Sequence, residues 1–381
     1  MNASTLRSKQ VRLAVSLFAM LTAASSTAVA GDWLPPTPLC PTSVLTYIPL
    51  WSIPTSTGIL CFVGEPPTAP SDTIFDVAVV PVIVKLLDVN KNVVAVNDPT
   101  QPLSVPVNSI QGFTALNAVD NSPIFATENY TLGATNLGTV QWGEATERAS
   151  FWKYPGTAFK NWRVEMATFP ITPSVTLEVP YGSWEKTSQA DTYGVDQTML
   201  DPFLLKVAKS YSKGMPILLT YNIGEYSPKG CCAFGYHHSY VESDDYRSFF
   251  IWGSYLDAPG FGLPDVGALS HEVAEFMHDP LGNNPVQPWP APFTFKLPWD
   301  PPYTFTKCQG NLEVGDPVED RPTAEMQYVI KTSVMTYHLQ NVVTASWEMQ
   351  AEPSFSVNGW YTLKGAVDGE FAAPAPACPT P

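Results

Sequence analysis

The chain has 381 residues and a net charge of −15, which argues against nucleic-acid partners and anionic membranes because phosphate groups attract basic proteins. Apolar residues make up 45% of the chain and charged residues 14%, so we expect a large buried core in one large or two smaller domains. The 38 prolines, about twice the usual frequency, predict short regular elements and stiff loops.

Residues 1–30 have the three-part pattern of a secretory signal peptide. A basic stretch with Arg7, Lys9 and Arg12 is followed by the apolar run LAVSLFAMLTAA and by the small-residue site AVA before Gly31. The apolar run is too short for a stable membrane anchor. We therefore expect a secreted, extracellular protein without membrane insertion. Because the removed segment carries three positive charges and no negative ones, cleavage would change the net charge from −15 to −18.

All six cysteines lie after the predicted cleavage site. An even number in an exported chain indicates disulfides, and the sequence alone does not choose among the pairings. A bond between Cys40 and Cys61 would close a local loop in the Pro-rich N-terminal segment. Cys378 lies in the tail AAPAPACPTP, where a bond to the body of the protein would hold the chain. The adjacent Cys231 and Cys232 bridge either each other or two separate partners.

Four segments are predicted along the chain. The signal peptide, 1–30, is followed by a Pro-rich N-terminal β region, 31–110, which wraps or extends the rest. Residues 111–371 are expected to form an α+β domain. The Pro-rich tail, 372–381, is expected to be disordered apart from its cysteine.

The first predicted elements are strands. The segment 73–99, TIFDVAVVPVIVKLLDVNKNVVAVNDP, has the composition of a β-hairpin with VNKN as its turn. Pro81 inside it predicts an edge strand or a bulge, because proline cannot donate to a sheet ladder. Residues 140–153 predict a short helix, and residues 175–182 another strand.

A helix followed by a buried strand is predicted next. The segment 201–214 is expected to be a helix that ends at Gly214. Its apolar stripe consists of Phe203, Leu204, Val207 and Tyr211. The strand at 215–224, MPILLTYNIG, is apolar enough to be buried, which favours mixed packing of helices on a sheet.

The segment LPDVGALSHEVAEFMHDP predicts a helix over 264–279 that is stopped by Pro280. Its apolar stripe is Val266, Leu269, Val273, Phe276 and Met277. The opposite side carries His271, Glu272, Glu275, His278 and Asp279. A solvated polar face is the simplest explanation, but such a face usually includes basic residues, and none occurs between Arg247 and Lys296.

The motif H-E-x-x-E in this helix predicts a zinc site. Side chains four residues apart on a helix project together, so His271 and Glu275 can chelate one ion. Glu272 would then act as the general base that takes a proton from the metal-bound water. His278 lies roughly 10 Å further along the helix axis, too far to share that ion easily.

The third metal ligand has to come from another part of the chain. Glu313 and Asp316, in the segment CQGNLEVGDP, are the first candidates. His238 or His237, in GYHHSY, is the second choice. Zinc accepts both imidazole and carboxylate donors, so the motif does not decide between them.

Several phrases of the sequence occur in a familiar order. They are SPIF (122–125), GTVQWGEATERASFW (138–152), PILLTYNI (216–223), CCAFGYHHSY (231–240), ALSHEVAEFMHDP (268–280), CQGNLEVGDP (308–317) and YHLQ with a following SW (337–347). This order resembles a group of uncharacterised secreted bacterial and fungal proteins in which S-H-E-[LV]-x-E-W-M-x-D-P precedes C-Q-x-N-L-E-V-G-D-P. The resemblance covers about two-thirds of the chain and supports a fold and a site more than an activity.

A weaker similarity extends to the phosphate-induced, exordium-like secreted proteins. The positions that match it are Ser270, His271, Glu272, Glu275, Glu313 and Asp316. Cysteine precedes Glu313 here, as Cys308, and does not follow Asp316 as it does in that family. The resemblance implies a zincin-like fold, in which a helix bearing H-E packs below a mixed sheet.

Two functions follow as hypotheses. The first is a zinc-dependent, peptidase-like hydrolase that acts on an extracellular peptide or glycan. The second is a non-catalytic secreted binding or cell-surface protein. If its ligand is carbohydrate, Trp289, Trp299 and Tyr303 in the Pro-rich loop 281–306 would supply stacking surfaces, although such aromatics more often pack within their own loop.

Calcium is the alternative cofactor. A hard cation prefers oxygen ligands, and Asp279, Glu313 and Asp316 would supply them. In that interpretation the ion stabilises the fold and takes no part in a reaction.

Overall fold

The computed structural model of the protein describes residues 40, 48–103, 112–169, 173–188, 191–211, 214–227, 230–243, 246–258, 261–295, 303–319, 321–365 and 369–378. The predicted signal peptide and Trp299 lie outside the described residues.

The strands are β1 (Leu50–Pro54), β2 (Ile59–Val63), β3 (Ser71–Leu87), β4 (Val93–Asn97), β5 (Glu128–Leu132), β6 (Thr135–Val140), β7 (Trp162–Thr168), β8 (Val175–Val179), β9 (Trp184–Lys186), β10 (Tyr193–Asp196), β11 (Met215–Tyr221), β12 (Ile223–Ser227), β13 (Gly230–Ala233), β14 (Gly235–Ser243), β15 (Tyr246–Tyr255), β16 (Pro285–Phe295), β17 (Tyr303–Asn311), β18 (Gln327–Lys331) and β19 (Thr336–Gln340). The α-helices are α1 (Ala115–Asp120), α2 (Trp142–Phe151), α3 (Gln197–Lys209), α4 (Gly267–His278), α5 (Thr323–Met326) and α6 (Ala345–Glu348). Short 3-10 turns span Asp316–Val318, Val357–Gly359 and Gly369–Ala372.

A seven-stranded mixed sheet organises the molecule. Its main path runs β14-β15-β11-β3-β4, and β7 and β8 also pair with β3. Strand β11 is parallel to both β3 and β15, whereas β14 and β4 are antiparallel to their neighbours. The expected α+β class, with a mixed sheet, is confirmed. The β3–β4 pair is the predicted hairpin of residues 73–99.

The prediction that Pro81 marks an edge strand or a bulge is wrong. Pro81 lies in β3, the strand that pairs with the most neighbours. The pairing of β3 with β7 ends at Val77, its pairing with β8 begins at Val82, and its pairing with β11 ends at Pro81 itself. The N–H that proline lacks therefore falls between the part of β3 that pairs with β7 and the part that pairs with β8.

The two faces of the sheet carry separate clusters of buried side chains. Val77 and Val79 of β3 face one cluster, which also contains apolar residues of α2, α4 and the β1–β2 hairpin. Val80 and Val82 face the other, which α3 covers. This alternation is the period-two pattern of a strand buried on both faces. The expected N-terminal region, 31–110, thus shares its core with the segment that follows it.

The other predicted elements are present with shifted ends. The predicted helix 140–153 is α2, and the predicted strand 175–182 is β8. The predicted helix 201–214 is α3, which begins earlier because the Asp196 carboxylate accepts the N–H of Thr198 at 2.8 Å. The predicted strand 215–224 is divided into β11 and β12 at Asn222, whose φ is 51°.

Two disulfides join Cys40 to Cys61 and Cys308 to Cys378, and Cys232 is also disulfide-bonded. The local bond of Cys40 and the attachment of Cys378 to the body of the protein are confirmed.

The expected disorder of the tail is wrong for residues 372–378. Ala375 is buried and donates its N–H to the carbonyl of Trp347 at 2.9 Å. Cys378 donates its N–H to Pro288 at 3.0 Å. Backbone hydrogen bonds and a disulfide hold the proline-rich segment against the core. Among the described residues, none of the helices has the length and apolar character needed to cross a membrane.

Candidate metal centre

Helix α4 lies against the sheet with its apolar stripe inward. Phe276 packs on Phe75 of β3 and Phe249 of β15, with ring centroids 6.4 and 5.4 Å apart. The helix begins at Gly267, three residues later than predicted, because Asp265 adopts a φ of 48° just before it. The opposite side of α4 is buried as well, so the polar face is not a solvated surface.

His271 and Glu275 meet across one turn of α4, as the spacing predicts. Nε2 of His271 lies 3.0 Å from Oε1 of Glu275 and 3.6 Å from Oδ1 of Asp316. Asp316 lies at the start of a 3-10 turn that follows β17. The three donor atoms lie within 4.8 Å of one another, and such a set of one imidazole and two carboxylates suits zinc.

A second group of donors lies on the other side of Glu275. Nδ1 of His237, on β14, lies 3.4 Å from Oε2 of Glu272 and 3.8 Å from Oε2 of Glu275. These donor atoms also lie within 4.8 Å of one another. Glu275 is therefore shared between the two groups.

Because side chains alternate along a strand, His237 faces helix α4 and His238 does not. His237 points toward α4 and is 8% exposed, whereas the ring of His238 packs against Phe250 with centroids 5.5 Å apart. Nε2 of His237 lies 3.0 Å from the backbone oxygen of Asp279. That contact assigns the proton to Nε2 and leaves Nδ1 to face the carboxylates, the usual arrangement of a metal-binding histidine.

Glu272 lies between the two histidines. Its Oε1 is 3.9 Å from Nε2 of His271, and its Oε2 faces His237. Strand β14 passes closely over this side chain at Gly235, where a Cβ would lie 2.7 Å from Cγ of Glu272. Glycine at that position allows β14 and α4 to enclose the carboxylate.

The buried charges of the site shift one another's pKa. Burial alone would lower the pKa of His271, but the charges of Glu275 and Glu272 outweigh it and raise that pKa well above its usual value. Burial would raise the pKa of Glu275, but the charge of His271 overcomes it and lowers that pKa. Burial and the charge of Glu275 raise the pKa of Asp316 well above its usual value. A bound cation would replace the protons on these groups.

Glu313, predicted as a ligand equal to Asp316, lies outside both donor groups. Its Oε1 accepts a hydrogen bond from the Asn311 side chain, and its buried Oε2 has no hydrogen-bond partner among the described residues. Burial, reinforced by the charge of Glu275, raises the pKa of Glu313 well above its usual value. Burial therefore favours the protonated form of this carboxyl group.

The contacts of His278 indicate a structural role in the core. Its Nδ1 donates to the carbonyl of Ala274 at 2.8 Å, and the hydroxyl of Ser150 lies 2.9 Å from its Nε2. The ring stacks on Phe151 with centroids 6.2 Å apart. Burial lowers the pKa of His278 to about 4, so the ring is neutral at pH 7.

Asp279 shapes the loop that follows α4. Its two carboxylate oxygens accept the N–H groups of Asn283 and Asn284 at 2.9 and 2.8 Å. The backbone oxygen of the same residue holds His237. Its contribution to the site is to position another side chain.

Two contacts behind the ligands were not predicted from the sequence. Nε2 of Gln309 donates to Oδ2 of Asp316 at 2.6 Å, and the backbone N–H of Gly315 donates to Oε1 of Glu275 at 3.1 Å. Both donors lie in the phrase CQGNLEVGDP. That phrase therefore supplies a candidate ligand and the hydrogen bonds that hold two candidate ligands in place.

The aromatic surface that the sequence suggested for carbohydrate binding is not formed by Trp289. Much of the predicted loop 281–306 forms the β16–β17 hairpin. Trp289 is 0% exposed and packs on Trp347, with ring centroids 5.6 Å apart. This tryptophan belongs to the core and has no face for a sugar.

The chain matches no protein-family model, no curated protein and no solved structure. The residues themselves fit a metal ion. In the described part of the chain, every ion pair of Glu272, Glu275 and Asp316 is to a histidine. Two buried carboxylates and the partly buried Asp316 face two imidazoles there, and a divalent cation would offset the negative charge of the ionised carboxylates.

Proposed function

We propose that the protein is a secreted, zinc-dependent hydrolase with a zincin-like arrangement of helix and sheet. The observation that carries the proposal is the convergence of Nε2 of His271, Oε1 of Glu275 and Oδ1 of Asp316 on one point beside α4. Three protein ligands leave the fourth tetrahedral position open, as in catalytic zinc sites. Asp316 has the most exposed side chain of the three, at 16%, so the open position is expected on its side.

The chain's own residues have distinct roles in this proposal. Zinc, when bound, supplies Lewis acidity toward a water molecule and a substrate carbonyl. Glu272 accepts and returns a proton at Oε1, which faces the His271 side of the site. Burial raises the pKa of Glu272 above its usual value, in the direction that brings a carboxylate closer to the working pH of a general base. Gln309 fixes Asp316 through Oδ2 and leaves Oδ1 for the ion.

Peptide is the favoured substrate class because of the strand that lines the site. β14 carries His237 and is the terminal strand of the sheet's main path, where it pairs with β15 among the described strands. A terminal strand presents backbone N–H and C=O groups to which an extended peptide can add as a further strand. A peptide bound in this way would pass beside the donor groups.

The first experiment is the metal content of the purified protein at neutral pH, measured by mass spectrometry without chelators. We expect stoichiometric zinc in the wild type and loss of the zinc held by His271 in Glu275→Gln and His271→Asn. His238→Asn is the matched control, because this histidine lies on the same strand as His237 but packs on Phe250. A wild-type protein without stoichiometric metal would refute the proposal.

The second experiment separates binding from catalysis. We expect Glu272→Gln to keep zinc at the position held by His271 but to lose hydrolysis of a peptide library by about 10²–10⁴-fold, the range for a lost general base. Zinc-loaded wild type that cleaves no peptide or glycoside would contradict the hydrolase assignment. Stabilisation by calcium alone would instead support the calcium interpretation.

A further inference from the structure

The two oxygens of Glu275 face different histidines. Oε1 lies 3.0 Å from Nε2 of His271, and Oε2 lies 3.8 Å from Nδ1 of His237. Each oxygen therefore belongs to a different donor group. A carboxylate placed in this way can bridge two ions.

We propose that the site holds two divalent cations bridged by Glu275. His271 and Asp316 complete the first position, which is the zinc site of the proposed function and on which this inference rests. His237 and Glu272 complete the second. Each position has one imidazole and two carboxylate donors.

The environment of His237 supports a second ion at that position. The residue is 8% exposed, and its Nε2–H donates to the backbone oxygen of Asp279. This hydrogen bond turns Nδ1 toward Oε2 of Glu272 and Oε2 of Glu275. A carbonyl that orients the far nitrogen of an imidazole is the support expected of a metal ligand.

The charge of the cluster is compatible with two ions. Glu272, Glu275 and Asp316 contribute three negative charges when all are ionised, and in the described part of the chain their ion pairs are only to His237 and His271. Two dications exceed the carboxylate charge by one, which a single anionic ligand or substrate group would balance.

Glu272 has a free oxygen in this arrangement. Its Oε2 faces the second ion, while Oε1 lies 3.9 Å from Nε2 of His271 and faces the first position. The proton-accepting role is therefore compatible with the ligand role. Two ions bridged in this way would lie about 3.5–4 Å apart, the separation seen in two-metal hydrolytic sites.

The test is the number of zinc ions per chain. The full chain is stripped with a chelator, titrated with zinc chloride in a calorimeter, and analysed for metal after dialysis. We expect two ions in the wild type, one in His237→Asn, one in the isosteric variant Glu272→Gln, none in Glu275→Gln and two in the control His238→Asn. Circular dichroism of each variant checks that it is folded, and Glu272→Gln serves if His237→Asn does not fold.

The outcomes separate the two proposals. One ion in the wild type, or two ions retained in both His237→Asn and Glu272→Gln, would overturn the second site and leave the proposed function intact. No ion in the wild type would overturn both. An independent readout is the electron paramagnetic resonance spectrum after loading with manganese(II). We expect an exchange-coupled pair in the wild type and an isolated ion in Glu272→Gln.

Discussion

Gly315 approaches the ring of His271 so closely that a Cβ built on it would lie 2.5 Å from Nδ1. Its φ of −84° is accessible to any residue, so glycine is required there for space and not for backbone conformation. The N–H of the same residue donates to Oε1 of Glu275. One residue of the segment NLEVGDP thus contacts both candidate ligands contributed by α4.

Gly315→Ala is expected to displace the imidazole of His271 from the donor group. Overpacking of a buried site costs about 1–3 kcal/mol of unfolding free energy, and loss of a supporting contact behind a ligand weakens metal binding about 10–100-fold. Zinc affinity is measured by competition with a chromogenic chelator, and stability by urea denaturation.

Gly310→Ala is the matched control for that substitution. It lies in the preceding strand, where the nearest atom to an added Cβ is the backbone oxygen of Val286 at 4.0 Å. We expect its zinc affinity and stability to remain near the wild-type values. Equal zinc affinities in the two alanine variants would show that the Gly315 contact does not hold the ring.

Gly235→Ala is expected to disturb Glu272 while sparing the first metal position. The added Cβ would lie 2.7 Å from Cγ and 3.0 Å from Oε1 of that side chain. Hydrolysis should fall by about 10²-fold or more, as for a misplaced general base, and the ion held by His271, Glu275 and Asp316 should remain. Loss of that ion as well would show that β14 supports the whole cluster.

The sequence was sufficient to predict the helix that carries His271 and Glu275, because the i, i+4 spacing acts within a single element. It also placed Asp316 among the candidate ligands, although the choice between Glu313 and Asp316 depends on the turn after β17. Both residues are carboxylates three positions apart, and only the path of the backbone decides which one faces the helix.

The choice of His237 over His238 and the burial of the polar face of α4 could not be predicted from the sequence. His237 and His238 are chemically identical neighbours, and strand alternation separates them only when the covered face of β14 is known. The charged side of α4 resembles a solvated surface in sequence. It is enclosed by segments from distant parts of the chain, including β14, the turn at Gly315 and the strand at Gln340, whose N–H bonds to Ser270.

His278 is expected to make the protein less stable as the pH falls below 6.5. Its pKa is lowered to about 4 in the folded state, against about 6.5 in an unfolded chain. Its contribution is therefore fully present above pH 6.5 and is lost toward pH 4, at about 1.4 kcal/mol per pH unit. Urea denaturation of the wild type and His278→Gln at pH 7 and pH 5 should show the smaller pH dependence in the variant. Parallel pH profiles would contradict the neutral, buried ring.

The pair formed by Asp265 and His338 is expected to give the opposite pH dependence. Nδ1 of His338 lies 2.6 Å from Oδ2 of Asp265, and this hydrogen bond raises the pKa of His338 above its usual value despite partial burial. A raised histidine pKa stabilises the fold below about pH 6.5, and the contribution is lost as the pH rises through the folded value. His338→Gln keeps a side-chain donor but cannot titrate. We therefore expect the difference in unfolding free energy between wild type and variant to shrink from pH 6 to pH 8. Since both proteins contain the same candidate metal centre, its own pH dependence cancels in that difference. A constant difference would show that His338 is neutral throughout this range.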